Sequence, residues 1–195
     1  MQQLKEKIIY EALHQFSTKG FMATSTTDII KGAGTSKGGL YNHFKSKEQL
    51  FLEVLSQARK IWRERNLYGV EEITRPINKI KHILGNYRDR YLTDSENFPG
   101  GCIFINLTVE LSDQQPHLAE AVNKGFDRFK SMLRRLFDQE KAAGTLRAGV
   151  DINEVVEMIF SGLLGVCVMY TADKSEQNLD QSIRALCSYI DNISI

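Results

Sequence analysis

The chain has 195 residues, enough to bury a real core as one large domain or two small ones. Its 25 basic and 24 acidic side chains nearly cancel to +1, which at first sight argues against a nucleic-acid partner, and three widely spaced cysteines (Cys102, Cys167, Cys187) fit reduced thiols rather than a disulfide framework or a zinc site. No apolar run approaches the ~18 to 20 residues of a membrane span, and MQQLKEKIIYEALHQF holds no signal-peptide core, so the expectation is a cytoplasmic protein without a membrane partner.

Leu4, Ile8, Ala12 and Phe16 make one apolar stripe of a first helix, which Gly20 ends. Residues 25 to 47, STTDIIKGAGTSKGGLYNHFKSK, then read as a helix, a glycine-centred turn and a second short helix. Ser25 and Asp28 have the spacing of a capping box, although that motif prefers Glu or Gln in the last place. Ile29, Ile30 and Ala33 supply an apolar face, and Gly34 suits the positive φ of a sharp reversal. Ser36 caps the next helix, where Leu40 and Phe44, four residues apart, must point inward together. Gly38, Gly39, Tyr41 and Asn42 are left facing out, with Lys37 at the margin.

Two adjacent glycines inside a helix cost about 1 kcal/mol each relative to alanine, so stability gives little reason to place them there. Close approach of another backbone is one reason, and an irregular turn in an ordinary helical bundle is the other reading. The charge distribution favours the first. Residues 1 to 50 hold seven lysines against four acids, a local excess of three, and the remainder is near-neutral to acidic. Lys37 has the reach for a guanine acceptor in a major groove, while Thr26, Tyr41, His43 and Lys47 are donors suited to phosphates. So small an excess binds DNA weakly in a single copy, so two copies with paired basic faces are expected.

Beyond Ser46, which caps a helix carrying Glu48, the residues Leu50, Phe51, Val54, Leu55 and Ala58 continue an apolar face toward Trp62. Ile73, Ile77, Ile80, Leu84, Tyr87 and Tyr91 form another stripe, with Pro76 tolerated in its first turn. DSENFPGG is the clearest loop. A short helix from Cys102 to Leu111, a long one from about Pro116 to Ala143, and two more beginning near Asp151 and Ser175 follow, with no convincing strand. In VVEMIFSGLLGVCVMYTA apolar residues occupy nearly the whole circumference, whereas Leu179, Ile183, Leu186 and Ile190 make a single stripe. A helix that is apolar all round is either the central core helix of a monomer or part of an intersubunit bundle.

The stretch TSTTDIIKGAGTSKGGLYNHFKSKEQLF, with KEKIIYEALHQFSTKGF before it, resembles the DNA-binding segment of the TetR family of one-component transcriptional regulators. The resemblance covers roughly the first quarter of the chain. It implies an all-α fold, with a three-helix helix-turn-helix DNA-binding domain at 1–47 and a helical effector-binding and dimerisation domain at 48–195. By the same resemblance Thr26, Tyr41, His43 and Lys47 match phosphate-contacting positions. Lys37, Gly38 and Gly39 fall where the recognition helix approaches base edges, and Thr35, Ser36 and Asn42 complete the candidate surface. Gly39 departs from the more usual Thr, Ala, Ser or Asn, and Asn42 from a frequent aromatic or His, which bears on the operator sequence.

The resemblance further implies a homodimer through the two C-terminal helices, binding double-stranded, pseudo-palindromic operator DNA with two recognition helices about one turn, ~34 to 36 Å, apart. It also implies a small-molecule effector held among the middle helices, with Trp62, Tyr87, Tyr91, Phe104, Asn106, Phe126, Phe129 and Met158 as candidate lining residues. Cys102 lies in GGCIFINLTVELSD, which resembles one branch of the family whose regulators respond to electrophiles through a cysteine. At a helix N-terminus its thiol is either activated by unpaired N–H groups or packed as a small hydrophobe. No cofactor and no metal are implied. An enzyme finds little support: His14, His43, His82 and His117 are scattered, HExxH and GxSxG do not occur, and GAGTSKGG lacks the spacing of a phosphate-binding loop.

Overall fold

The computed structural model describes residues 2–195. Among them are nine α-helices, α1 (Gln2–Ala23), α2 (Thr26–Gly32), α3 (Lys37–Tyr41), α4 (Lys47–Asn66), α5 (Pro76–Asn86), α6 (Ile103–Leu111), α7 (Pro116–Ala142), α8 (Ile152–Asp173) and α9 (Glu176–Asn192). No strand is present among these residues, only one isolated bridge between Leu146 and Ser194, so the all-α expectation holds. The chain packs as two units, one of residues 1–61 with 94–124 and the other of 62–93 with 125–195. Packing therefore divides the chain within α4 and α7.

In the first unit, α1 carries the predicted stripe into a core of Ile8, Ala12 and Phe16, and Gly20 breaks it at φ 80°, ψ 173°. Leu4 is only half-buried. The rings of Phe16, Phe21 and Phe51 close together, with centroids 5.1 to 6.1 Å apart, and tie the end of α1 to the start of α4. The loop preceding α6 presses hard on α1: a Cβ at Gly100 would stand 1.8 Å from the Ser17 carbonyl oxygen, so only glycine fits. Its N–H also donates to Ser17 Oγ at 3.2 Å.

The second unit is built on α5, α8 and α9. Helix α5 starts at Pro76, so Ile73 lies outside it, since proline supplies the fixed φ of a first turn and needs no N–H partner. Arg75 at its cap makes no side-chain capping bond to the helix, and the buried Glu140 carboxylate takes the Ile77 N–H instead, at 2.8 Å. The stripe does not continue as α-helix to Tyr91. After Asn86 the backbone widens into a π-helical turn, Tyr87–Tyr91, closed by the Leu92 N–H on the Tyr87 carbonyl at 2.9 Å. The extra residue leaves both tyrosines buried, with rings 5.3 Å apart.

Helix α8 corrects one expectation. At 22 residues it is long and apolar enough, by length and composition, to cross a membrane. One side is that of a core helix, with Val155, Val156, Ile159, Leu163, Val166 and Cys167 buried, and α9 lies so close that a Cβ at Gly162 would stand 2.7 Å from Leu186. The other side is uncovered: Met158, Val168 and Met169 are 49 to 59% exposed, and Gly165 has nothing within 4 Å of its Cβ position.

Candidate nucleic-acid interface

The turn between α2 and α3 is fixed by backbone hydrogen bonds that its residues dictate locally. Ser25 caps α2 with the full reciprocal box: its Oγ accepts the Asp28 N–H at 3.1 Å, and the Asp28 carboxylate accepts the Ser25 N–H at 3.2 Å. The Ser25 hydroxyl, which donates to the same carboxylate at 2.8 Å, and the Ser25 N–H hold the Asp28 carboxyl below its ordinary pKa. At the far end Gly34, at φ 60°, lets its own N–H reach the Lys31 carbonyl and the Thr35 N–H reach Ile30, the pairing of a glycine-terminated helix. Ser36 then caps α3, accepting the Gly39 N–H at 3.1 Å.

Helix α3 has five residues, and its inner side is Leu40 with Phe44 just beyond, 0 and 1% exposed. Its outer side is Lys37, Gly38, Tyr41 and Asn42, all exposed, with Thr35, Gly39 and His43 half-buried beside them. The two glycines differ. A Cβ at Gly38 would meet nothing closer than Ser36 Oγ at 3.8 Å, whereas one at Gly39 would stand 2.3 Å from Thr35 Oγ1. A side chain at Gly39 would oblige Thr35 to turn aside, whereas Gly38 is not required by anything inside the protein.

Two lysines stand against the helix dipole. Lys37 opens α3 and Lys47 opens α4, at the positive ends of both helices, where a cation costs a few tenths of a kcal/mol to about 1 kcal/mol. Each adds its charge to free N–H groups, and together these suit an anion. Ser46 caps α4 through the Gln49 N–H at 3.1 Å, and Gln49 returns an oxygen to the Lys45 N–H at 2.7 Å. Lys47 is half-buried with its ammonium 4.2 Å from the centre of the Phe21 ring. Burial pulls its pKa down and the Glu110 carboxylate opposes that pull.

Glu110 is the residue that sequence reasoning missed. From the last turn of α6 its carboxylate accepts the Phe21 N–H at 2.7 Å and the Met22 N–H at 2.8 Å, directly after the Gly20 break. The partners are 88 and 89 residues apart, and no local signal marks the contact.

The candidate effector residues separate into two groups. Trp62, Tyr87, Tyr91 and Phe129 form one aromatic cluster in the second unit, with Trp62 Nε1 donating to Tyr87 Oη at 2.8 Å. Phe160, not foreseen, connects Phe129 to Phe126 at 6.2 and 5.4 Å. Met158 is not with them: it is 56% exposed on the open side of α8, because an all-round apolar sequence carries no phase from which to choose its inward face. Cys102, Phe104 and Asn106 belong to the first unit, where Asn106 donates to the Gly100 carbonyl at 3.1 Å and Phe104 is buried. Cys102 holds the N-cap position of α6 and is 5% exposed, which favours its reading as a packed hydrophobe. A separate cavity of about 680 Å³, lined among others by Arg134, Asp138, Lys141 and Arg147, contains none of the candidates.

A capped helix-turn-helix whose second helix presents lysine, glycine, tyrosine and asparagine outward defines a DNA-binding protein. Comparison with known proteins supplies the family. Residues 8–54 match the profile described as bacterial regulatory proteins, tetR family, and residues 76–186 match the tetracyclin repressor-like C-terminal domain. The chain is 30% identical over 183 residues to the HTH-type transcriptional regulator QacR of Staphylococcus aureus, covering 94% of this chain and 92% of QacR. It is 34% identical over 156 residues to the HTH-type transcriptional repressor KstR2 of Mycolicibacterium smegmatis, covering 80% and 73%. A TetR transcriptional regulator from Chloroflexus aurantiacus has the same fold, with a TM-score of 0.91 at 28% identity over 99% of this chain and 96% of that one. The chain belongs to the TetR family and is a transcriptional regulator rather than an enzyme.

Proposed function

We propose that the protein is a cytoplasmic repressor that binds a pseudo-palindromic operator as a homodimer and leaves it when a small-molecule effector binds. The observation that carries DNA recognition is the outer surface of α3, where Lys37, Gly38, Tyr41 and Asn42 are exposed and Gly38 has no internal reason to be glycine. In this reading residues 1–47 grip DNA, and 48–195 dimerise and sense. Lys37, Gly38, Gly39 and Asn42 face base edges. Thr26, Thr35, Ser36, Tyr41, His43 and Lys47 engage phosphates, which sets register without reading sequence. The repressive sign is supported by relatives named as repressors, KstR2 and DhaR of Mycobacterium sp..

The uncovered side of α8 supports the dimer. Met158, Ser161, Gly165, Val168 and Ala172 follow the 3–4 spacing of one helix face, all exposed in the single chain. A large apolar helix face left open in a chain that already has a core is what a subunit contact buries. Trp62, Tyr87, Tyr91, Phe126 and Phe129 remain the proposed effector contacts, joined by Phe160. Release then requires the effector to bind the DNA-incompetent arrangement more tightly than the competent one, since equal affinity shifts nothing. The test is to let the protein select duplexes of ~30 base pairs from a randomised pool and titrate the winner at several salt concentrations. A selected inverted repeat bound with a steep salt dependence is expected; no selection, or salt-independent binding, overturns the proposal.

A further inference from the structure

We propose that Glu110 is a positioning residue for operator binding: from α6 its carboxylate holds the turn between α1 and α2 in shape and, through Phe21, fixes where Lys47 meets the DNA backbone. The inference rests on the proposed reading of Lys47 as a phosphate contact.

The geometry is that of a cap supplied from a distance. Where a helix restarts after a break, its first N–H groups have no partner within the helix. At Gly20 the backbone turns to φ 80°, ψ 173°, and the next two N–H groups, of Phe21 and Met22, both point at Glu110 Oε2 and Oε1. A side chain at position 20 would collide with that carboxylate, its Cβ falling 2.5 Å from Oε1, so the glycine and the glutamate fit only as a pair. Thr24 completes the turn by donating from Oγ1 to the Gly20 carbonyl at 2.7 Å, one residue before the Ser25 cap of α2. The chain therefore enters α2 through a segment whose N–H groups are held by α6.

Phe21 carries the contact onward. Its ring packs edge-on to Phe51 at 5.1 Å and lies under the Lys47 ammonium at 4.2 Å. The same carboxylate favours the charged form of that lysine. Glu110 thus fixes the backbone that carries the aromatic platform and stabilises the cation standing on it.

Charge alone would have the opposite effect. Neutralising an acid in a DNA-binding region lessens repulsion from phosphate and should strengthen binding. If Glu110 acts by position, Glu110→Gln weakens it instead, because one carboxylate oxygen becomes an NH2 group that meets a backbone N–H donor to donor. The test uses the full-length protein and the duplex that the wild type selects from a randomised pool. Glu110→Gln is expected to lower affinity by roughly tenfold or more and to flatten the salt dependence by about one phosphate contact per subunit. In a Lys47→Met background the same change is expected to do little. An affinity that rises or stays level overturns the inference, and an equal loss in both backgrounds reduces Glu110 to a purely structural role and also overturns it. Should Glu110→Gln fail to fold, Glu110→Asp, which keeps the charge but draws it back by one methylene, is read by the same criteria. Wild-type protein that selects no duplex overturns the underlying reading and the inference with it, whereas wild-type binding matched by the variant overturns the inference alone.

Discussion

Replacing Gly38 with alanine should raise stability and lower operator affinity at once. The residue lies in α3 outside the left-handed region, and its Cβ would meet only Ser36 Oγ at 3.8 Å, an ordinary van der Waals contact. Alanine therefore adds helix propensity without strain, a gain of about 0.5 to 1 kcal/mol, which for a chain of this size raises Tm by roughly 1 to 4 °C. In the proposed complex the same methyl group would stand between α3 and the groove wall. Overpacking of this kind costs about 1 to 3 kcal/mol per contact, or about 2 to 6 kcal/mol for two half-sites, so affinity should fall by roughly thirtyfold or more. Gly39→Ala is the control, because its Cβ would stand 2.3 Å from Thr35 Oγ1 and force that side chain to turn, so the stability gain should shrink or reverse. Thermal unfolding and operator titration on the same preparations decide the matter. A Gly38→Ala protein that binds as tightly as wild type would refute the claim that this glycine serves the groove.

Three further outcomes are expected. The Asp28 carboxyl, held below its ordinary pKa by Ser25, contributes stability that is complete above the ordinary carboxylate range and is lost as pH falls through the depressed value; Ser25→Ala should flatten that acid limb of the unfolding curve, and an unchanged limb would discount the cap. Met169→Glu, on the exposed side of α8, should convert the dimer to a monomer by sedimentation with helical content intact and operator binding lost; a dimer that persists would move the interface elsewhere. Iodoacetamide should leave Cys102 and Cys167 unmodified in the native protein and mark Cys187 slowly, since that thiol is half-buried and burial pushes its pKa up. Preferential labelling of Cys102 would restore the thiol-switch reading.

Features written by neighbouring residues were legible in the sequence. The caps at Ser25, Ser36 and Ser46, the helix starts near Asp151 and Ser175, the reversal at Gly34 and the break at Gly20 each depend on hydrogen bonds or dihedrals spanning a few residues, and each appears where the residue types require it. The inward pair Leu40 and Phe44 was legible for the same reason, since helical spacing fixes their side. What escaped depends on contacts far apart in the chain. The Glu110 cap joins residues 88 and 89 positions apart, and Glu140 replaces a missing local cap for α5 from 63 positions away. The π-helical turn at Tyr87–Tyr91 answers to the burial of two rings rather than to any sequence period. Met158 was misplaced because α8 is apolar on every side, and packing against α7 and α9 decides which side is covered.

The central claim is that α3 lies in the major groove, once from each of two subunits. Dimethyl sulfate footprinting, which reads guanine N7 in that groove, tests it most directly on the duplex that the protein selects. Two protected major-groove patches centred about one helical turn, ~34 to 36 Å, apart are expected, both disappearing when Lys37 and Tyr41 are replaced by alanine. A single patch, protection confined to the minor groove, or protection that survives those replacements would contradict it.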